Sequence, residues 1–425
     1  MKNRVVITGM GVVSPNAIGL DNFKNALKEG ESGIKFLPEL EELNFGCRIG
    51  GVPDNCENIL QEYFNLKNYP YLSDSLGYAI TAAIEAWNNA GMKFPTENGP
   101  TDWDTGAIIG SAVSGLKTFA DHVVPKIIEK KVRRIKTRVA EQVMGSASSA
   151  RISGLFGIGN QSTSNSSACS TGTEAIIEAV WKIRTGLAKK MLAGSTEGAS
   201  PYIWGPFDSM RVLASRFNDQ PRKGSRPMSA SARGFVPGGG AGILFLESLK
   251  SAQERNADIY AEIIGVHANC GGHRNGGSMT APNPEGVYRC IQGAVRDANI
   301  KPEDIDAING HLTATYVDPI EIRTWSAALN LGPKNFPYIN STKSMIGHCL
   351  GAAGSIETVA SVLELKDGFL HPSINCEDLH PEIQPFADRI PQVCMDYPEL
   401  RTIVKASFGF GDVNSCIIIK KWGKN

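Results

Sequence analysis

GFVPGGGAGILFLE, at residues 234–247, runs from a glycine-rich turn with one aromatic residue directly into an apolar strand. A second stretch, SFGFGDVNSCIIIKKW at residues 407–422, has the same form. Each stretch closes a region that begins with a strand and places a small-residue turn before an alanine-rich helix near its middle, so the chain contains two loose copies of one pattern. We therefore predict a duplicated fold whose halves are joined near residues 248–258.

Short β-branched runs alternate with longer alanine-rich helical patterns along the whole chain, which is typical of an α/β fold. We divide this fold into two halves, residues 1–250 and residues 251–425. The predicted strands lie at 5–13, 105–112, 241–247, 259–266 and 403–410, and the clearest helical patterns at 77–91 and 351–366.

The composition of the 425 residues excludes several classes of partner. Lysine plus arginine and aspartate plus glutamate number 43 each, so no net charge favours nucleic acid or a membrane surface. The N-terminal MKNRVVITGMGVVSP is interrupted by glycines and Pro15, so we expect a buried first strand and not a signal peptide. No run is long enough for a membrane span. The nine scattered cysteines contain no CxxC pair, which predicts a reduced, cytoplasmic protein.

A lone cysteine lies at the start of a predicted helix in SNSSACSTGTEAIIEAVWKIRTG, residues 164–186. Apolar or small residues at 175, 176, 179, 180 and 183 form one helical face and Gly186 ends it, which places Cys169 at or just before the first turn. Backbone N–H groups there would stabilise a thiolate and lower the pKa of Cys169. Its small neighbours leave room for a substrate. The alternative is an inert buried thiol.

Two histidines at element ends in the other half favour catalysis over that alternative. His311 follows the apolar strand in IDAINGHLTAT (305–315), and His348 lies in KSMIGHCLGAAGSIE (343–357). The carboxyl ends of parallel strands and the starts of helices are where α/β proteins gather their sites. A cysteine and two histidines in such positions predict a nucleophilic site.

These motifs resemble those of the β-ketoacyl-acyl carrier protein synthases, of the elongating, synthase II-like type with a Cys-His-His triad. SACSTGTEA resembles the family's nucleophile turn, GHLTAT its first histidine motif and KSMIGHCLGAAG its second, and the similarity covers essentially the whole chain. The resemblance implies a thiolase-like αβαβα fold of five layers, with the nucleophile in residues 1–250 and the histidines in 251–425. It also implies a homodimer, and a heterodimer with a second synthase subunit stays open.

The resemblance further implies a decarboxylative condensation. An acyl chain passes from acyl carrier protein to Cys169, malonyl-carrier protein loses CO2, and its enolate attacks the acyl thioester. His311 and His348 would donate to the enolate oxygen, and the backbone N–H groups of Cys169 and Phe410 would form the oxyanion hole. Lys343 would order the histidine region with Glu357 as its linked acid. The resemblance implies no metal and no organic cofactor.

Further residues acquire roles by the same resemblance. Thr313 and Thr315 would hold the pantetheine arm, and Phe410 would also gate the site. The acyl pocket and its surroundings would be lined by Phe207, Val113 and Phe408. The basic stretch PKIIEKKVRRIKTR (125–138) reads either as a solvated helix face or as a docking surface for an acidic carrier protein. The docking residues would be Lys130, Lys131, Arg133 and Arg134, with Arg211 as a neighbour.

Three positions depart from the family pattern beside these motifs: Leu312, Gly239 and Asp412. We expect the loop after His311 to differ in shape, because Leu312 replaces a glycine and the segment to Asp318 is one residue short. Two other functions stay open. A non-catalytic partner subunit of a synthase pair would typically lack the cysteine. A degradative thiolase acting on coenzyme A thioesters would be expected to have a second cysteine where this chain has His and Phe.

Overall fold

The computed structural model describes residues 2–54, 56, 60–61, 73–96 and 99–423, and it shows an α/β protein built on one large sheet. Its strands are β1 Val5–Ser14, β2 Ala17–Ile18, β3 Ile34–Phe36, β4 Ile49–Gly51, β5 Thr105–Gly110, β6 Ser162–Thr163, β7 Lys190–Glu197, β8 Gly240–Ser248, β9 Ala261–Cys270, β10 Ala307–Asn309, β11 Tyr338–Asn340, β12 Phe369–Leu370, β13 Met395–Asp396, β14 Thr402–Gly409 and β15 Val413–Lys421.

The α-helices of the described residues range from single turns to four-turn segments. They are α1 Leu20–Glu29, α2 Pro38–Glu42, α3 Asp74–Asn89, α4 Leu116–Thr118, α5 Val124–Ile128, α6 Val139–Val143, α7 Ala147–Phe156, α8 Thr171–Arg184, α9 Pro201–Ser209, α10 Leu249–Glu254, α11 Pro284–Ala298, α12 Asp318–Leu329, α13 Lys343–Ile346 and α14 Ala353–Asp367.

The sheet consists of two five-stranded halves with the same pairing pattern. In the order β6-β5-β7-β8-β1 the first two pairings are parallel and the next two antiparallel. The order β11-β10-β14-β15-β9 repeats this sequence of parallel and antiparallel pairs. A short antiparallel pairing of β1 residues 5–7 with β9 residues 261–263 joins the halves. The predicted duplication is confirmed.

Helices form three layers around the two half-sheets. α8 contacts β5 and β7 of the first half and β9 and β15 of the second, while α14 contacts β8 and β14. These two helices therefore lie between the half-sheets. α3 and α7 pack on the outer face of the first half, and α11, with α12 beside it, on the outer face of the second. The predicted five-layer αβαβα arrangement is confirmed.

Glycines allow the two central helices to approach closely at their N-terminal ends. A Cβ atom on Gly354 of α14 would lie 2.3 Å from Thr173 Oγ1 of α8, and one on Gly172 of α8 would lie 2.6 Å from Ser355 N of α14. Residues 353–365 of α14 are all buried, so this helix has no solvent-facing side. The close contact sets the position of both helix starts, where the candidate site lies.

The described elements agree with the main sequence-based expectations. The N-terminal run forms β1 at Val5–Ser14, and all of its residues are buried. Where the periodicity predicted a helix over 77–91, α3 spans Asp74–Asn89. The predicted boundary at 250/251 falls within α10, which links β8 to β9, and this division stays a prediction. Among the described residues, no helix has the length and apolar character needed to cross a bilayer.

Candidate active site

The turn before α8 presents Cys169 toward a cavity. Ala168, Cys169 and Ser170 form a single 3₁₀ turn, and Ala168 adopts a left-handed φ of 47°. The Thr171 hydroxyl closes the turn, since it accepts from the Ser167 N–H at 2.9 Å and donates to the Ala168 carbonyl at 2.7 Å. Local hydroxyl groups of this kind stabilise turns at helix starts. The small residues quoted above therefore build the turn as well as leaving space around the sulfur.

His348 lies directly against the cysteine. Its Nε2 is 3.1 Å from Cys169 Sγ, across 179 residues of sequence. The Leu350 backbone N–H donates to His348 Nδ1 at 3.3 Å, so Nδ1 is the acceptor and the ring proton is on Nε2. The histidine therefore presents an N–H donor to the sulfur and to any oxygen bound beside it.

His311 completes the cluster from the end of β10. Its ring centroid is 5.4 Å from that of His348, with the ring planes near perpendicular. Donor atoms of Cys169, His311 and His348 all lie within 4.8 Å of one another. The Glu321 carboxylate of α12 fixes this turn by accepting the backbone N–H of His311 at 2.7 Å and of Leu312 at 2.8 Å. The structure thus brings the three predicted triad residues together.

Burial dominates the protonation of all three side chains. It raises the pKa of the Cys169 thiol to about 11, against a smaller lowering by a hydrogen bond from the Phe410 backbone N–H and by Lys343. The expected lowering of this pKa at the helix start is therefore wrong, because desolvation of the thiolate outweighs the N–H groups. Burial and the Lys343 charge hold the pKa values of His311 and His348 well below the ordinary value. The resting site is a neutral thiol beside two neutral imidazoles.

Behind the histidines lies a buried cluster of charges. Lys343 Nζ is 2.5 Å from Glu357 Oε1, as the resemblance implied. The other carboxylate oxygen of Glu357 is 2.8 Å from Nζ of Lys405 on β14. Sequence reasoning missed Lys405, although a lysine inside the apolar run IVKASFGF was the signal. A charged residue within a central strand needs a buried partner.

The cluster opens into a largely apolar cavity of about 320 Å³. Among the residues assigned to substrate binding, Phe207, Phe408, Phe410, Thr313 and Thr315 line it. The rings of Phe207 and Phe410 are 6.0 Å apart. Val113 lies outside this lining; like Phe207, it packs against a neighbouring apolar cluster. Its backbone N–H donates to the buried Glu197 carboxylate at 3.1 Å.

An acidic residue that begins α12 shapes the loop after His311. The Asp318 carboxylate accepts the backbone N–H groups of Thr313 at 2.8 Å and Ala314 at 3.1 Å. Ala314 has a left-handed φ of 63°, and the threonine hydroxyls of Thr313 and Thr315 are 3.1 Å apart. Leu312 is fully buried. The shortened loop is therefore a tight turn around one carboxylate.

The other two unusual positions also have physical explanations. A side chain at Gly239 would come within 2.9 Å of the Ala199 nitrogen, so only glycine fits there. Asp412 follows the turn of Phe410 with φ 60° and is buried. Its carboxylate accepts the backbone N–H groups of His273 at 2.9 Å and Asn283 at 2.7 Å. Asp412 thereby ties the Phe410 turn to the loop that follows β9.

The basic stretch at 125–138 is not one continuous helix. Lys130, with φ 57°, follows α5, and a 3₁₀ turn holds Arg133 and Arg134. These three residues and Lys131 are exposed. Lys131 lies 3.3 Å from Glu129. Arg211 is exposed and follows Met210, which lines the cavity.

Comparison with known proteins gives consistent matches over the chain. Residues 2–252 match the family model "Beta-ketoacyl synthase, N-terminal domain" and residues 260–377 match "Beta-ketoacyl synthase, C-terminal domain". The chain is 37% identical to 3-oxoacyl-[acyl-carrier-protein] synthase I, chloroplastic, of Arabidopsis thaliana, over 98% of this chain and 86% of that protein. It is 34% identical to 3-oxoacyl-[acyl-carrier-protein] synthase 2 of Vibrio harveyi, over 99% of both chains.

Solved structures show the same similarity in three dimensions. A ketosynthase of a type II polyketide synthase, solved with its acyl-carrier protein, superposes with a TM-score of 0.88 at 29% identity, over 99% of this chain and all of the other. A β-ketoacyl synthase from Burkholderia phymatum superposes with a TM-score of 0.87 at 27% identity, over the full length of both chains.

Proposed function

Because the chain belongs to the β-ketoacyl synthase family, an acyltransferase class that condenses an acyl thioester with malonyl-acyl carrier protein, we propose that Cys169 is its nucleophile and that His311 and His348 are its catalytic donors. The observation that carries this assignment is the 3.1 Å contact between Cys169 Sγ and His348 Nε2 at the cavity, with His311 beside it. The product is a β-ketoacyl-acyl carrier protein two carbons longer than the acyl chain.

Acylation is the first step. The Cys169 sulfur attacks the thioester carbonyl of an acyl-carrier protein, and the pantetheine thiol leaves with the proton that Cys169 gives up. The carbonyl oxygen, negatively charged in the intermediate, accepts from the backbone N–H groups of Cys169 and Phe410. The Phe410 N–H also lowers the pKa of the Cys169 thiol, which is the effect expected of a donor close to the reacting sulfur.

Condensation follows on the acyl-enzyme. Malonyl-carrier protein loses CO2, and the electron pair of the broken C–C bond forms an enolate whose oxygen accepts from Nε2–H of His348 and from His311. The enolate carbon attacks the acyl carbonyl, and the intermediate expels the Cys169 sulfur as a thiolate, which takes up a proton from solvent. Neutral imidazoles suit this role, since Leu350 already occupies Nδ1 of His348.

The remaining assignments concern substrate and carrier. Thr313 and Thr315 hold the pantetheine arm where they line the cavity, and Phe207, Phe408 and Phe410 surround the acyl chain. Lys343 and Glu357 support the histidine turn. Val113 affects the pocket indirectly, through the apolar cluster against which Val113 and Phe207 both pack. The cavity opens where the lining residues Met210 and Tyr316 are exposed, which supports carrier docking there.

An acidic carrier protein would dock on exposed cations, one of which, Arg211, follows the cavity-lining residue Met210. These are Arg211, Lys130, Lys131, Arg133 and Arg134. Phosphopantetheine carriers that bind through charge do so in a salt-dependent way. Charge reversal of the four residues within 130–134 should weaken acyl-carrier binding at low salt by at least tenfold. Unchanged, equally salt-sensitive binding would remove these residues from the docking surface.

We also propose that the enzyme acts as a homodimer in the cytoplasm. Several apolar side chains of the segment 119–144 are exposed, and exposed apolar patches mark interfaces. These side chains are Phe119, Val124, Ile127, Ile128, Val132 and Met144. In such a dimer the basic residues within 130–134 of the same segment would lie at the polar rim of the interface, where a carrier protein can reach them. All nine cysteines are free thiols, in keeping with a reducing compartment. Light scattering of the purified chain should give twice the 45.7 kDa mass of one chain. A monomer that forms a dimer only with a second synthase subunit would contradict the homodimer.

Intact-mass analysis tests the central assignment. Wild type, Cys169→Ala and Cys270→Ala are incubated with acyl-carrier proteins of graded length and then with malonyl-carrier protein. Cys270 is exposed and serves as the matched control. Wild type and C270A should form an acyl adduct that becomes a two-carbon-longer ketoacyl product, and C169A should form none. No adduct at any length would favour the non-catalytic partner subunit, and cleavage of acetoacetyl-coenzyme A alone would favour a thiolase.

A further inference from the structure

Lys405 is a fully buried lysine in the middle of β14 that the mechanism above does not use. Its ammonium forms an ion pair with Glu357 Oε2 at 2.8 Å and donates to Ser407 Oγ at 3.4 Å and to the Ala406 carbonyl. A lysine removed from water is costly unless it is paired. Its presence in this position therefore calls for a role beyond packing.

The cluster around Glu357 has an uneven number of charges. One carboxylate is shared by two ammonium groups, Lys343 on Oε1 and Lys405 on Oε2, and the three side chains are at most 1% exposed. Burial lowers the pKa of Lys405, and the Glu357 carboxylate opposes that lowering. With all three groups ionised, the cluster holds one net positive charge in a region shielded from water. Charges in such surroundings act over longer distances than they do in water.

The strand connects this charge to the nucleophile turn. Lys405, Ser407 and Gly409 alternate along β14 and so share one face of it. Ser407 Oγ is 2.9 Å from Thr173 Oγ1 of α8, and its carbonyl accepts from Ser170 Oγ at 3.1 Å. At Gly409 a Cβ would lie 3.0 Å from the Cys169 nitrogen. The face of β14 that carries Lys405 is therefore turned toward the Cys169 turn and the start of α8.

Several other ionisable groups surround the two histidines. They are Cys169, Lys343, Lys405, Glu357, Glu321, Glu197 and Asp318. Glu321 accepts backbone N–H groups, and burial raises its pKa to about 7. Glu197 likewise accepts backbone N–H groups, and burial raises its pKa to about 7. After burial, the positive charges of Lys343 and Lys405 hold the pKa values of His311 and His348 low.

We propose that Lys405 is a positioning residue of the condensation reaction, which leaves the buried cluster with one net positive charge and thereby keeps His311 and His348 uncharged. This inference rests on the proposed function of those histidines. The neutral form is needed at His348, because protonated Nδ1 would face the Leu350 N–H, 3.3 Å away, as two opposed donors. Loss of that contact would free the ring that presents Nε2–H to the substrate.

The test is a histidine NMR titration of the full-length protein. Four variants with ¹³C-labelled histidine are compared with wild type: Lys405→Met, Glu357→Gln, the double variant, and Lys190→Met as a matched control. Lys190 also pairs with a carboxylate, Asp102 at 2.9 Å, but on the other half-sheet. K405M is nearly isosteric with lysine and brings the cluster charge to zero. The double variant K405M/E357Q restores a single positive charge on Lys343.

The pKa values of His311 and His348 should rise by roughly one unit in K405M, since one charge is lost from a poorly screened site. They should fall back toward wild type in K405M/E357Q and remain unchanged in K190M. The low-pH limb of malonyl decarboxylation, in kcat and not KM, should move upward with them. A merely structural lysine predicts that the double variant is damaged at least as much as K405M.

Two results would overturn the inference: unchanged histidine pKa values in folded K405M, or no return toward wild type in the double variant. If K405M does not fold, the double variant alone decides, because its charge should preserve wild-type titration. The NMR readout requires no turnover. A wild-type protein that never condenses would therefore refute the proposed function, while the titration still tests Lys405 separately.

Discussion

Replacing Gly354 with alanine should disrupt the contact between the two central helices and, with it, catalysis. An ideal Cβ at this position lies 2.3 Å from Thr173 Oγ1, 2.8 Å from Thr173 N and 3.1 Å from Ser407 Oγ. Rotation of a hydroxyl does not relieve the clash with the backbone nitrogen. An ordinary contact of about 3.4 Å requires the helix starts to separate by about 0.6 Å.

A catalytic residue lies just before each of these two helices, so separating the helix starts has two consequences. Forced overpacking of a closely packed core costs roughly 1–3 kcal/mol in the free energy of unfolding. The 3.1 Å contact between Cys169 and His348 would lengthen, because one residue precedes α8 and the other precedes α14. Displacements of this order reduce turnover by roughly ten- to a hundredfold.

Urea unfolding and steady-state condensation measure the two effects. Gly154→Ala is the matched control, because Gly154 also lies within a helix but a Cβ there would meet nothing within 4 Å. That variant should be stabilised by about 0.4–1 kcal/mol, since alanine restricts the unfolded chain. Wild-type stability together with wild-type turnover in G354A would refute the proposal that the close helix contact positions the site.

Three further outcomes follow from the geometry of the site. Alkylation of Cys169 by iodoacetamide, measured by peptide mass, should accelerate about tenfold per pH unit between roughly pH 7 and 9.5, because the pKa of its thiol is raised to about 11. An alkylation rate that reaches a plateau near neutral pH would contradict this. Gly409→Ala should slow acylation about a hundredfold with the circular dichroism spectrum unchanged, since its Cβ would crowd the Cys169 N–H; undiminished acylation would remove that N–H from the oxyanion hole. Burial raises the pKa of Glu197 from 4.5 to about 7. As pH rises from 4.5 to about 7, the unfolded chain loses this proton before the folded protein does, so the free energy of unfolding of wild type falls over this range. Glu197→Gln should escape this loss, and its urea stability relative to wild type should improve from pH 5 to 8; a constant difference would contradict the assignment.

The sequence predicted the fold to a considerable depth because its signals are local. Alternating β-branched runs and alanine-rich segments predicted the strands and helices, and the two glycine-rich turns that close the halves predicted the duplication. The small residues around Cys169 likewise predicted a nucleophile turn, since turn chemistry depends on immediate neighbours. Motif resemblance then indicated which histidines belong with it, and the structure places all three side chains within 4.8 Å.

Other properties of the site depend on the environment that distant segments create. The sequence around Cys169 predicted a lowered thiol pKa, whereas the observed direction is upward because helices and strands from both halves exclude water from it. The sequence did not show that Lys405 pairs with Glu357, because this ion pair forms only where β14 packs against α14 in the folded protein. Amino-acid sequence alone thus determined the elements, their duplication and the chemical types at the site. Tertiary structure decided the protonation states and the shared buried charge, because desolvation and Coulomb interactions depend on burial and distance, which residues far apart in the chain set together.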